Sequence, residues 1–159
     1  MGAKSLDILT WNVNGLRSRT TDGHAYLMLY DIDVIALQET GTEDDTILNL
    51  RNYQSYYLAA DRQSNVRGLL TYIKKDIPTE LISYGIRNGI ETLIVKIHTK
   101  GNTLLIVNMY VHPQKFDSDD MPECLFDDAC LLVGDINARH ERLGTMGVSN
   151  ANGRKWLHR

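Results

Sequence analysis

Short apolar runs separated by polar turns recur along the chain and predict a fold rich in β-strands. The segment 91–98 alternates, with Leu93, Val95 and Ile97 on one side, and Gly101-Asn102 is a hairpin turn signal before the long apolar run that ends at Val111. The predicted strands are 6–12, 33–38, 53–58, 68–73, 91–98, 103–111 and 131–135.

Helical signals are few. A short helix is predicted over 24–31, with Ala25, Met28 and Leu29 on one face; residues 46–50 could add one or two helical turns, and Asn152 could cap a final helix over 153–158. Strands with few helices favour an α/β or α+β sandwich of packed sheets with helices outside. The length of 159 residues predicts one domain, 1–159.

The overall charge does not favour a nucleic-acid partner, whereas the distribution of charge along the chain allows one. The net charge is −3, and polyanion binders tend to be basic. However, residues 117–128 hold six acids and no base, whereas residues 139–159 hold five bases against Glu141. A basic rim beside an acidic site could hold a phosphate backbone; the alternative is a solvated acidic loop and a basic tail.

Cysteine usage and hydropathy predict an intracellular protein. Cys124 and Cys130 are too few for a disulfide scaffold and are predicted to be thiols outside any disulfide. The sequence shows neither a secretion signal nor an apolar run long enough to span a membrane.

Polar side chains stand at the ends of several predicted strands. Asn12 and Asn14 end the first, Glu39 follows the second, and Asp135 and Asn137 repeat the i, i+2 spacing at the end of a later strand. Carboxylate and amide oxygens suit Mg²⁺ or Mn²⁺, which prefer oxygen ligands. The pattern therefore predicts metal-assisted phosphodiester cleavage.

The roles follow from the chemistry of each group. Glu39 would hold the metal, Asp135 would orient and deprotonate a water, and Asn137 would hold the scissile phosphate. The hydroxyl of Tyr110, on the long strand before Pro113, could bind the phosphate or the leaving oxygen. Each residue alone also fits a turn or a core position; their joint occurrence after apolar strands favours the functional interpretation.

These segments resemble the endonuclease/exonuclease/phosphatase superfamily, and most of all the endonuclease domains of non-LTR retrotransposons. The resemblance rests on 11–16 (WNVNGL), 38–40 (QET), 67–70 (RGLL), 108–113 (NMYVHP), 134–140 (GDINARH) and 150–154 (NANGR). It implies a DNase I-like, four-layered α/β sandwich, one or two Mg²⁺ or Mn²⁺ ions, and nicking of DNA. In the retrotransposon branch the nick primes reverse transcription, which implies a reverse transcriptase domain in a parent polyprotein.

The resemblance also assigns residues. It makes Asn12 the active-site asparagine, and Glu39 and Asn12 the metal ligands. It has Tyr110 contact phosphate, Asp135 activate water and Asn137 hold the phosphate. In the same motifs, Asn14 and Arg139 are candidate phosphate contacts.

The sequence departs from the family after Asn137. The family completes its site with a further aspartate and a terminal Ser-Asp-His motif, which nothing later in this chain matches, so we expect the domain to be incomplete at its C-terminus. His140 and His112 are the candidates for a substitute general acid.

Three hypotheses about function therefore remain open. The first is a monomeric, metal-dependent DNA endonuclease, nuclear if it acts on chromosomal DNA. The second is a catalytically inactive remnant or nucleic-acid-binding module of the same fold, and the third is a sibling phosphatase or phosphodiesterase.

Overall fold

A computed structural model describes residues 5–16, 31–43, 49–99, 101–113, 115–126 and 129–157. Within these ranges the strands form two four-stranded sheets. The first sheet has the order β1-β2-β4-β3 and contains β1 (Ile8–Asn12), β2 (Val34–Gln38), β3 (Tyr53–Leu58) and β4 (Leu69–Lys74). The second has the order β5-β6-β7-β8 and contains β5 (Thr79–Arg87), β6 (Ile90–Thr99), β7 (Asn102–Val111) and β8 (Cys130–Asp135).

Both sheets are mixed. Strand β1 runs parallel to β2, and β7 runs parallel to β8, while the other neighbours are antiparallel. Three short 3-10 turns follow β7, at Ser118–Asp120, Glu123–Phe126 and Glu141–Leu143, and the helix α1 spans Ala151–Leu157. None of the described helices is long and apolar enough to cross a membrane.

The inner faces of the two sheets pack against each other. Val34, Ala36 and Ile73 of the first sheet join Val95 and Ile97 of the second in one buried cluster. The alternation that predicts strand β6 thus points its apolar side toward the opposite sheet.

Buried amides also join the sheets. Gln38 Nε2 donates to Asn108 Oδ1 over 2.8 Å, and Asn108 Nδ2 donates to the carbonyls of Leu37 and Leu70. Because both side chains are buried and hydrogen-bonded, they fix the register of one sheet against the other.

Helix α1 covers the outer face of the second sheet. Trp156 packs against Phe116, with ring centroids 5.2 Å apart, in a cluster that includes Val107 and Met109 of β7. The predicted class, a DNase I-like sandwich of packed sheets with few helices, is confirmed. Most of the helix predicted over 24–31 and of the turns over 46–50 lies outside the described residues.

Two predictions need correction or addition. The cap of α1 is Asn150, whose Oδ1 accepts from the Gly153 amide over 2.8 Å; Asn152 is buried and donates instead to the carbonyls of His112 and Ile136. Strand β5 is not among the predicted elements, because most of its side chains are exposed and its sequence shows no buried face. Cys124 and Cys130 are half-buried thiols with no disulfide between them.

Candidate active site

Three strands end at one edge of the sandwich and bring the predicted residues together. Asn12 ends β1, Glu39 follows β2, and Asp135 ends β8. Strands β1 and β2 are parallel neighbours in one sheet, with Asn12 opposite Gln38 in register, so their carboxyl ends coincide. Strand β8 of the other sheet also contacts β1.

The amide of Asn12 bridges the two carboxylates. Its Nδ2 donates to Glu39 Oε1 over 2.7 Å and to Asp135 Oδ2 over 2.8 Å. Its Oδ1 accepts from the backbone N–H of Asn14 over 3.1 Å, which orients the amide. These charge-assisted bonds hold two acids at one point without a bonded contact between like charges.

The backbone beyond the strands is held in unusual conformations. Asn14, Glu39 and Asn137 have φ values of 46°, 51° and 47°, in the left-handed region that non-glycine residues rarely adopt. Gly15 N donates to Glu39 O over 2.7 Å, so the two chain segments stay paired past the ends of β1 and β2. The site residues therefore lie on turns that the sheet fixes.

A second turn holds Asp135 and Asn137. The amide N–H of Asn137 donates to Asp135 Oδ1 over 2.8 Å, and its side-chain Nδ2 donates to the Val111 carbonyl over 2.9 Å. Asn150 Nδ2 donates to the Asn137 carbonyl over 2.6 Å, which ties this turn to the cap of α1. Each carboxylate oxygen of Asp135 thus accepts one hydrogen bond, Oδ1 from the Asn137 amide and Oδ2 from the Asn12 side chain.

Gly134 permits the close approach that this arrangement needs. A Cβ built there would overlap the Met109 carbonyl, and the residue has a φ of 144°. Without a side chain, β8 pairs with β7 so that Asp135 lies opposite Tyr110.

Tyr110 brings a neutral donor to the site. Its side chain is only 3% exposed, and its hydroxyl lies beside Glu39. Burial raises the pKa of Tyr110, and the neighbouring Glu39 carboxylate raises it further. The hydroxyl therefore keeps its proton throughout the neutral range.

His112 lies two residues after Tyr110, and both of its ring nitrogens have hydrogen-bond partners. Nε2 is 2.8 Å from Glu91 Oε1, and Nδ1 is 3.4 Å from Asn65 Nδ2. The ring meets that of Tyr110 edge-on, with centroids 5.0 Å apart. Glu91, which does not follow a strand and is not among the predicted residues, is fully buried. Its sequence signal is an acid on the same side of β6 as Leu93 and the other core residues.

The remaining predicted residues are His140, Arg139 and Asn14, and of these Asn14 lies beside Glu39. His140 begins the 3-10 turn Glu141–Leu143, and its Nδ1 accepts from the Arg142 amide over 3.2 Å. Arg139 is exposed, and its backbone amide donates to Asn150 Oδ1 over 2.9 Å. Asn14 is exposed and lines a cleft beside Glu39.

The donor set suits a weakly held hard cation. The described residues contain no group of three or more His, Cys, Asp and Glu side chains that could hold a metal ion. Mg²⁺, however, commonly keeps several waters and is held by one or two carboxylates together with substrate phosphate. Glu39 and Asp135, brought together by one amide, fit that kind of site.

A fold of two packed mixed sheets with acids and amides at one edge is that of the DNase I-like hydrolases. The chain belongs to the Endonuclease/Exonuclease/phosphatase family, whose model matches residues 9–154.

Individual proteins that are similar to this chain in sequence or structure are nucleases. An exodeoxyribonuclease of Bacillus subtilis (strain 168) is 36% identical over 89 residues, which are 54% of this chain and 33% of that protein. The endonuclease domain of TRAS1, a telomere-specific non-LTR retrotransposon, has a similar structure, with a TM-score of 0.70, 15% identity, and coverage of 97% of this chain and 68% of the domain. The AP endonuclease LMAP from Leishmania major gives a TM-score of 0.64, 15% identity, and coverage of 94% and 60%. The chain thus spans about a third of the curated relative.

Proposed function

We propose that this domain is a metal-dependent phosphodiesterase that nicks DNA, of the kind that prepares a target for reverse transcription. The observation that carries the proposal is the bridge from Asn12 to Glu39 and Asp135. The fold resemblance to the TRAS1 endonuclease domain supports the retrotransposon-type reaction, and the B. subtilis exodeoxyribonuclease supports DNA as the substrate.

The chain's own residues supply the chemistry in this proposal. Asp135, oriented by Asn12 and by the Asn137 amide, accepts a proton from the attacking water. Asn137 has a side-chain N–H beyond the one bonded to Val111, and this N–H holds a phosphate oxygen. The Tyr110 hydroxyl, kept neutral, donates toward the phosphate.

Glu39, with Asn12 and Asp135 beside it, would hold the Mg²⁺ or Mn²⁺ ion. Such an ion supplies a counter-charge for the phosphate in the transition state. The Tyr110 hydroxyl lies beside Glu39 and has a single proton, so in the proposed complex that proton goes to the phosphate and the Glu39 carboxylate is left to the ion.

A cleft beside Glu39 supports binding of a phosphate backbone. Its walls include the exposed residues Asn14, Arg62 and Arg67, with Asn65 at one side. Its two guanidinium groups can each bind a phosphate oxygen, although Glu39 and Glu43 line the same cleft and balance their charge, so this binding depends on local contacts. We propose that the domain acts as a monomer, alongside a reverse transcriptase domain in a parent polyprotein and, on chromosomal DNA, in the nucleus.

The test is product analysis on a duplex oligonucleotide that carries a 5′-terminal phosphate and an internal label, incubated with Mg²⁺ or Mn²⁺. The proposal predicts internal cleavage without release of inorganic phosphate, lost in Asp135→Ala and retained in the matched control Glu141→Gln, which changes an exposed acid of the 3-10 turn. Release of inorganic phosphate alone would indicate the phosphatase. Binding without any cleavage would indicate the inactive module.

A further inference from the structure

Glu91 is a fully buried acid that the proposed chemistry does not use. It lies on β6 directly opposite Tyr110 of β7, so both side chains point toward the first sheet. A buried carboxylate is costly unless hydrogen bonds compensate it. Its partners therefore indicate what it does.

Both oxygens of Glu91 accept hydrogen bonds from the opposite sheet or its neighbourhood. Oε1 accepts from the Arg67 amide over 2.7 Å and lies 2.8 Å from His112 Nε2. Oε2 accepts from the Gly68 amide over 2.9 Å. One side chain thus fixes the segment that enters β4 and the residue that follows β7.

The first route from Glu91 leads to Glu39 through the backbone. The carbonyl of Gly68 accepts from Thr40 N over 3.1 Å, and that of Arg67 accepts from Gly41 N over 2.9 Å. Thr40 and Gly41 directly follow Glu39, which itself has a φ of 51°. The segment 67–68 that Glu91 holds therefore fixes the turn that presents the Glu39 carboxylate.

The second route leads to Tyr110 through His112. The imidazole contacts the Tyr110 ring edge-on at 5.0 Å between centroids, and Glu91 fixes the orientation of that imidazole. The Tyr110 hydroxyl in turn lies beside Glu39. Both routes thus end at the same carboxylate.

We infer that Glu91 is a positioning residue that holds Glu39 and Tyr110 in place for phosphodiester cleavage, an inference that rests on the proposed function. In this role Glu91 acts on the substrate only through other residues. His112 acts together with Glu91 and is itself held in place, since both of its ring nitrogens have hydrogen-bond partners.

The experiment compares Glu91→Gln with Glu80→Gln, the same change at an exposed acid of β5 that pairs with Lys96. Amide hydrogen exchange of the intact chain is followed at Thr40, Gly41 and Gly68. Glu91→Gln should speed exchange at these amides roughly tenfold or more while core amides of β2 keep their protection, as expected for a local opening. Glu80→Gln should change none of them. Uniformly faster exchange would mean a merely structural role and would overturn the inference.

Kinetics provide the second readout. Glu91→Gln should lower kcat for nicking by roughly 10- to 100-fold, as outer-shell changes commonly do, with KM changed by less than about threefold. Adding Glu91→Gln to Tyr110→Phe should lower kcat by a smaller factor than Glu91→Gln does alone, because the Tyr110 hydroxyl is already gone and only the route to Glu39 is left to disturb. A wild-type kcat, or full additivity, would contradict the positioning role.

Two provisions keep the result decisive. If Glu91→Gln does not fold, His112→Gln keeps the backbone bonds of Glu91 but removes the ring beside Tyr110, and a wild-type kcat in that variant overturns the inference. If the unsubstituted chain does not nick DNA, the proposed function fails, and the exchange pattern alone decides whether Glu91 controls the Glu39 turn.

Discussion

The amide of Asn12 separates two acids, and its replacement by an acid should be worse than its removal. In Asn12→Ala the site loses two charge-assisted hydrogen bonds, 2.7 and 2.8 Å long. Such bonds contribute roughly 1.5–3 kcal/mol each when buried. Because Asn12 is only half-buried and water can replace part of the loss, we expect a decrease of about 2 kcal/mol in unfolding free energy.

Asn12→Asp keeps the size of the side chain but turns a donor into a third negative charge. Two charges 4 Å apart repel by about 4 kcal/mol at an effective dielectric constant of about 20. Uptake of one proton limits the cost, since protonating a carboxyl of ordinary pKa at pH 7 costs about 4 kcal/mol. The variant should therefore be about 4 kcal/mol less stable than the wild type at pH 7, twice the loss of the alanine variant.

The sign of the pH dependence separates the two variants. The folded Asn12→Asp protein binds a proton that its unfolded chain does not, so its stability should recover on acidification from pH 7 to 5, by about 1.4 kcal/mol per unit relative to Asn12→Ala. Urea unfolding in EDTA at both pH values measures this, with Asn102→Asp at the exposed first residue of β7 as the matched control. An Asn12→Asp protein as stable as the wild type at pH 7 would refute the reasoning, because size alone would then explain Asn12.

Three further changes test separate parts of the site. Tyr110→Phe should slow nicking roughly 10- to 100-fold in a single-turnover assay. Because the pKa of Tyr110 is raised in the folded protein, the wild type should lose stability above about pH 10, and Tyr110→Phe should not show this loss. The same alkaline unfolding curve for both proteins would contradict this. Gly134→Ala should cost roughly 3 kcal/mol or more in urea unfolding because its Cβ overlaps the Met109 carbonyl, whereas Gly85→Ala, with open space around it, should cost less than about 1 kcal/mol; equal losses would refute the steric argument. Asn150→Ala should lower stability by about 1 kcal/mol through loss of the helix cap and also slow nicking, because the turn after β8 loses a tether; a stable variant with unchanged rate would contradict both roles.

Strand ends could be predicted from the sequence because an apolar run followed by a polar residue marks both the strand and the edge where it stops. That rule predicted Asn12, Glu39 and Asp135 as candidates, and the structure joins them through one amide. Their roles in catalysis stay predictions. The pairing itself could not be predicted, because it depends on how strands distant in sequence meet.

Three other features of the structure could not be predicted from the local sequence pattern alone. Strand β5 shows no buried face, so nothing in Thr79–Arg87 distinguishes an edge strand from a loop. Either Asn150 or Asn152 could cap α1 by composition, and the choice falls to Asn150 because Asn152 is drawn into the core by backbone groups from other segments. Glu91 carried a usable signal, an acid on the apolar side of an alternating strand, but its partners are 21 to 24 residues away.

The most direct measurement is conversion of supercoiled plasmid to open circles with Mg²⁺ or Mn²⁺, comparing the wild type with Asp135→Ala. A closed circle has no ends, so only internal phosphodiester cleavage is detected. The account predicts that the wild type nicks and that Asp135→Ala, folded by circular dichroism, does not. Equal nicking by both proteins, or none by a folded wild type, would contradict the claim that this edge of the sandwich is a phosphodiesterase site.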